Sequence, residues 1–224
     1  MTPRLRAAVL KVCAVAGDHE QARRILERMW AAGEHNRPNI RHCTAYLKAL
    51  VVAKQIQMAA DFLEHLATND TSERSTGTDS NSNSNSNSTT KAFSNIPASA
   101  PDMIAVKTVL SGCASVGDFN LAQRILGQVK GGLYGEIIQQ QLDEQCYNLV
   151  LAACDEPQLA KGLVKEMRLS RRYRVGVIPP SKVTFTRAIA VCRKARDIES
   201  ARFFLSSARN DGVDPDAFMY SAGT

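Results

Sequence analysis

Apolar residues recur along this chain in paired runs at helical spacing. In the stretch Lys182 to Asp216, KVTFTRAIAVCRKARDIESARFFLSSARNDGVDPD, one run extends from about Thr184 to Lys194 and a second from about Glu199 to Asn210. Gly212 and the Pro215-Asp216 pair close the second run. The pattern predicts a helical hairpin with a stop signal, the unit from which solenoids are stacked.

The same phase returns upstream. Its anchors are a small residue early in each second helix and a Met-like residue seven positions later: Ala22 with Met29, Ala59 with Leu66, Ala122 with Val129, Ala160 with Met167, and Ala201 with Ala208. Successive alanines are 37, 63, 38 and 41 residues apart. A second marker precedes four of the five alanines by nine residues: Cys13, Leu50, Cys113 and Cys192. Cys154 stands only six before Ala160, so the linker Asp155-Glu156-Pro157 is expected to carry a three-residue deletion.

Packing explains these residue types. Alanine has no side chain beyond Cβ, so the second helix can approach the first closely, and the residues three, four and seven positions on form one apolar stripe. Ile25, Leu26 and Met29 make that stripe in the first unit, Phe62, Leu63 and Leu66 in the second, and Phe204, Leu205 and Ala208 in the last. Each hairpin covers only one side of itself, so stacked neighbours must cover the rest. The expected architecture is all-α, a right-handed solenoid of stacked helical hairpins. Residues 1–66 hold two hairpins, 101–216 three, and 217–224 the start of another. An array longer than this chain is expected, because the first run already begins at about Arg4 and Phe218-Met219-Tyr220-Ser221 reads as an opening helix.

The one interruption runs from Ala67 to Ala100, with an alternating Ser-Asn core and almost no large apolar residue. Such a segment cannot bury enough surface to offset the entropy of ordering, so a disordered loop inserted between repeats is expected. Hydrophobic residues make up 44% of the chain, and no apolar run approaches the ~18 residues that span a bilayer, which excludes an integral membrane protein of the helical kind. Six cysteines include no C-x-x-C pair, and Cys13, Cys113, Cys154 and Cys192 share one core phase. They read as small buried hydrophobes in a reducing compartment. The opening MTPRLRAAVLKVCAVAG is basic and lacks acids, like a transit peptide, but it is already accounted for as a repeat helix.

Residues V-T-F-T at Val183 to Thr186, Q-C-Y-N at Gln145 to Asn148, A-G-D at Ala16 to Asp18, V-G-D at Val116 to Asp118, and the closing pairs Pro101-Asp102 and Pro215-Asp216 together resemble the pentatricopeptide repeat family. Pro38-Asn39 and Pro180-Ser181 are variants of that ending. Tetratricopeptide repeats carry a Trp-Leu-Gly signature in the first helix instead, whereas the single Trp30 here falls at the end of a second helix. The resemblance covers nearly the whole chain apart from the Ser/Asn-rich segment.

That resemblance implies single-stranded RNA as the partner, read one nucleotide per repeat by the fifth and the last residue of each unit, with the second residue flanking the base. Transferred to this chain, the pairs are Ala7 with Asn39, Thr44 with Asp102, Lys107 with Asp143, Asn148 with Ser181, and Thr186 with Asp216, and Ser221 would be the fifth residue of the unfinished unit. The flanking positions are Arg41, Ile104, Gln145 and Val183, of which Ile104 and Val183 are the expected aliphatic type. By the family's code, Thr with Asp favours guanine and Asn with Ser cytosine, so the second to fifth units imply G, unread, C, G. Lys107 departs from the pattern and suits a phosphate as well as a base.

Net charge supports the polyanion. It is +4 for residues 1–66, −2 for 67–102 and +4 for 103–224, so the positive charge belongs to the repeats. Lys165, Arg168, Arg171, Arg172 and Arg174 form the densest cluster, and Arg187, Arg193, Lys194 and Arg196 the next, each either a phosphate contact or a solvated helix face. His19, His35, His42 and His65 show no metal-ligand spacing, and no phosphate loop or nucleophile motif occurs. No catalytic residue, metal, cofactor or small-molecule substrate is expected. The resemblance further implies organellar RNA processing, stability or translation in a mitochondrion or chloroplast, with protein partners. The alternatives are a protein-binding scaffold of the tetratricopeptide type, or the RNA-gripping part of a larger RNA-processing enzyme such as protein-only ribonuclease P.

Overall fold

The structure is a computed structural model that describes residues 3–33, 37–69, 100–169 and 178–222. These residues form α1 (Pro3–Ala16), α2 (His19–Ala31), α3 (Ile40–Val52), α4 (Ile56–Asn69), α5 (Met103–Val116), α6 (Phe119–Lys130), α7 (Glu136–Gln140), α8 (Glu144–Ala153), α9 (Pro157–Leu169), α10 (Lys182–Ala195), α11 (Ile198–Asn210) and α12 (Ala217–Ala222). No strand occurs among the described residues. The all-α hairpin fold expected from the periodicity is therefore the observed one. Contacts divide the chain into two compact units, residues 1–112 with 133–135 and residues 113–132 with 136–224.

In the first unit α1 packs beside α3, and α2 leans on both its own partner α1 and the following α3. In the second, α10 packs against α8, α9, α11 and α12. The second helices α2 and α9 thus each touch their own first helix and the next one, which is how a hairpin that cannot cover itself is buried by its neighbour. The five anchor alanines and their five partners seven residues on are all buried. Of the named stripe residues, Leu205 alone is half-buried.

The turn inside four of the five hairpins explains the second sequence marker. Gly17 and Gly117 hold φ of 73° and 80°, and Lys54 and Arg196 stand at the equivalent places with φ of 58° and 55°. The amide after each left-handed residue donates back six-to-one across the turn. Asp18 reaches the carbonyl of Cys13 at 3.1 Å, Gln55 that of Leu50 at 2.9 Å, Asp118 that of Cys113 at 3.0 Å and Asp197 that of Cys192 at 3.0 Å. This closure satisfies carbonyls that the helix end leaves unpaired. Asp18, Asp118 and Asp197 then cap the second helix through the amides of Gln21, Leu121 and Ser200. One Asp therefore ends one helix and begins the next.

The fourth hairpin lacks this turn, as the deletion predicts. Cys154 is extended, with φ −80° and ψ 141°, and Pro157 opens α9 at the first helical position, where its missing N–H costs nothing. Two elements differ from expectation. Helix α4 continues through Asn69, beyond the break placed at 67, because Ala67 is still buried on its apolar face. The short helix α7 was not legible, since five residues carry too little periodicity. The rest of the Ser/Asn-rich segment, residues 70–99, lies outside the described residues.

Candidate nucleic-acid interface

Every closing residue is the N-cap of the first helix that follows. Asn39 Oδ1 accepts from the His42 amide at 3.2 Å, Asp102 Oδ1 from Ala105 at 2.7 Å, Asp143 Oδ1 from Cys146 at 3.2 Å, Ser181 Oγ from Val183 at 3.1 Å and Asp216 Oδ1 from Met219 at 2.9 Å. Short polar side chains at these sites answer a local need of the helix end. At Asn39 the cap is reciprocal, because His42 Nδ1 accepts the Asn39 amide at 3.1 Å. Burial lowers the His42 pKa, which favours the neutral ring that can accept.

The fifth residues sit one turn into the same helices, beside these caps. Thr44 and Thr186 donate their hydroxyls to the carbonyls of Ile40 and Lys182, both at 2.8 Å. Thr44, Asp102 and Ile104 line one cavity of about 470 Å³ in the first unit, together with Lys11, Arg41 and Lys48. Its size falls in the range of ~300–1,000 Å³ typical of small-ligand sites. The proposed reading pair, its aliphatic flank and three cations therefore share one opening.

Asn148 and Ser181 meet through a residue the sequence reading passed over. Glu144, the first residue of α8, accepts at Oε1 from Asn148 Nδ2 at 2.9 Å, from Thr184 Oγ1 at 2.9 Å and from the Ser181 hydroxyl. Burial pushes the Glu144 pKa up, but the Ser181, Asn148 and Thr184 donors outweigh it and hold the carboxyl below its ordinary value. Thr186 and Asp216 are likewise joined through Lys182, the first residue of α10. Its carbonyl takes the Thr186 hydroxyl and its Nζ pairs with Asp216 Oδ2 at 2.8 Å. That ammonium, with the Met219 amide, draws the Asp216 pKa down. A signal for both connectors exists in the sequence: each is a charged residue immediately after a closing one.

The remaining sites are less complete. Lys107 is half-buried in the first unit and Asp143 half-buried in the second, where it caps α8. Ala7 is half-buried and offers no polar group. Ile104 and Val183 are exposed, at 61% and 52%, so both present an aliphatic surface beside a cap, while Arg41 and Gln145 are exposed and polar.

The family model of the PPR repeat matches residues 8–34, which is most of α1 and all of α2. Residues 8–34 carry the pentatricopeptide repeat pattern. No curated protein sequence matches the chain. Among solved structures, the chain is similar to the pentatricopeptide repeat protein PPR10 in complex with an 18-nt psaJ RNA element, at 19% identity over 97% of this chain and 31% of that one, with a TM-score of 0.44. It is also similar to the pentatricopeptide repeat protein PPR10 from maize, at 16% identity over 97% of this chain and 35% of that one, with a TM-score of 0.46. The chain spans about a third of the length of these structures.

Beyond residues 8–34, the basic clusters divide between solvent and internal partners. Arg168 is spent within the protein, with Nη2 2.5 Å and Nε 3.0 Å from Asp211 Oδ2 and Nη2 2.7 Å from Ser207 Oγ. Lys165 is exposed, and Arg171, Arg172 and Arg174 lie outside the described residues. In the second cluster Arg187 Nη1 donates to the Asn148 carbonyl at 3.0 Å, Lys194 stands 3.4 Å from Asp155, and Arg193 and Arg196 are exposed. All six cysteines are buried and free, and burial pushes the Cys43 and Cys113 thiols up to about 12. Among the described residues no group of His, Cys, Asp and Glu could hold a metal ion, and no helix is long and apolar enough to cross a membrane.

Proposed function

We propose that this chain is a noncatalytic adaptor that binds single-stranded RNA by a modular code, one nucleotide per hairpin. The cavity shared by Thr44, Asp102 and Ile104 carries the reading, because three cations surround it and a nucleotide presents both a polar base edge and a phosphate. Asp102 offers acceptors to a guanine edge, Ile104 covers the base face, and Lys11, Arg41 and Lys48 neutralise the backbone. Asn148 with Ser181 and Thr186 with Asp216 read the bases taken by the fourth and fifth hairpins, and Val183 flanks the latter. On this reading the chain holds a transcript segment in a mitochondrion or chloroplast and aids its processing, stability or translation.

A labelled RNA containing G-x-C-G tests it by fluorescence anisotropy. Binding should weaken with salt along a log–log slope of about −2 if three phosphates are neutralised, single strands giving roughly −0.7 per contact. Thr186→Ala and Asn148→Ala should each weaken binding between about fivefold and a hundredfold, the range set by loss of one base contact. Wild-type affinity in both variants counts against the base-reading assignment. Capture of proteins from ribonuclease-treated lysate, with no RNA retained by the purified chain, would favour the scaffold instead.

A further inference from the structure

The cavity of about 470 Å³ in the first unit carries more positive charge than one internal nucleotide brings to it. Its lining holds three cations, Lys11, Arg41 and Lys48, and one acid, Asp102, a net charge of +2. Among the described residues none of these three cations has an ion-pair partner, whereas Arg23, Lys130, Arg168, Lys182 and Lys194 each have one. The two Thr/Asp pairs show the contrast. Asp216 is met at 2.8 Å by Lys182, the first residue of α10, and the two charges cancel. The first residue of α3 is Ile40, which has no charge to offer Asp102.

Unpaired cations gathered at one opening repel each other and favour an anion placed among them. Lys11 and Lys48 are the closest match in position. They stand 37 residues apart, the same interval as Ala22 and Ala59, on α1 and α3, which pack side by side. The first hairpin has Ala7 at its reading position, so it gives this region a lysine but no polar group to read a base of its own.

A link within an RNA strand brings one negative charge, on its phosphodiester. A phosphate monoester brings about 1.5–2 at neutral pH, with three acceptor oxygens. Resting on the nucleotide reading of this cavity, we infer that it takes a nucleotide bearing a terminal phosphate. Lys11 and Lys48 hold the phosphate oxygens, Ile104 lies against the base and Asp102 meets its edge. The second hairpin is then the place where a bound strand begins. Two sources present the same chemistry, a phosphorylated 5′ end of RNA and free guanosine 5′-monophosphate.

The test uses fluorescence anisotropy on the whole chain with three RNAs labelled at the 3′ end. One begins with G-x-C-G and a 5′-phosphate, one begins with the same bases and a 5′-hydroxyl, and one has G-x-C-G preceded by further nucleotides. The phosphorylated end should bind at least about tenfold tighter than either of the others, the lower end for hydrogen bonds to a charged group. Both lysines are exposed, so Lys11→Gln combined with Lys48→Gln should fold as wild type and bring that ratio near one. A ratio unchanged in the double variant overturns the role of the lysines. Guanosine 5′-monophosphate that displaces the phosphorylated RNA, where guanosine does not, marks the free nucleotide as a ligand of the site. Failure to displace it, with the phosphorylated end keeping its advantage, marks the RNA end. Equal affinity for all three RNAs overturns the terminal phosphate and leaves base reading by Thr186 and Asn148 standing. Folded wild type that binds none of the three overturns the RNA reading as well.

Discussion

At the scale of single residues, Lys54 and Arg196 are the two non-glycine residues with positive φ among those described, and both occupy the place where Gly17 and Gly117 turn their hairpins. A side chain in the left-handed region costs about 1–2 kcal/mol through the contact of Cβ with the following carbonyl. Arg196 is exposed, so its side chain gives little in return. Arg196→Gly should raise the unfolding free energy by about 1 kcal/mol in urea titration. Arg193→Gly, three residues earlier inside α10, should lower it by a similar amount, roughly the helix-interior cost of glycine. Two losses of similar size would show that the turn is not strained. The Gly-Asp pairs at Gly17-Asp18 and Gly117-Asp118 stand out in the sequence because the chemistry of their turns is local. Lys54-Gln55 and Arg196-Asp197 carry no such mark, and only the Leu50 and Cys192 markers, whose carbonyls the turn amides reach, share their phase.

At the scale of elements, each closing residue serves two purposes, and the two can be separated. Asp102 caps α5 at 2.7 Å and also lines the cavity with Thr44. Asp102→Asn keeps a good N-cap and should leave stability within a few tenths of a kcal/mol, while Asp102→Ala should lose about 1 kcal/mol. If both variants lose RNA affinity alike at temperatures where both are folded, the carboxylate is read by the ligand. If the Asn variant binds as wild type and only the Ala variant weakens, Asp102 acts through the helix end alone. Each cap is local, its acceptor and donor two or three residues apart. Other partners lie far along the chain, since Ser181 meets Glu144 across 37 residues and Arg168 meets Asp211 across 43. For the same reason the sequence leaves Arg168 as either a phosphate contact or a solvated side chain, although its guanidinium is occupied by Asp211.

At the scale of the molecule, the chain is held together by neighbour contacts. In the second unit Lys130 of α6 pairs with Glu166 of α9 at 2.5 Å, and Tyr147 of α8 donates to the same Glu166 oxygen at 3.0 Å, so one network joins two successive hairpins. Stability in such an array is a sum of hairpin terms and interface terms. A core defect is then felt by the hairpin that contains it and by the next, but not evenly. Phe204→Ala removes a fully buried ring from α11 and should cost about 3–5 kcal/mol where it acts. Hydrogen exchange read by mass spectrometry should show amides of α10, α11 and α12 losing most of their protection, while those of α1, α2 and α3 keep theirs. Equal loss across all six helices would mean that the chain opens as one cooperative body, and the neighbour-only account of its stability would fail.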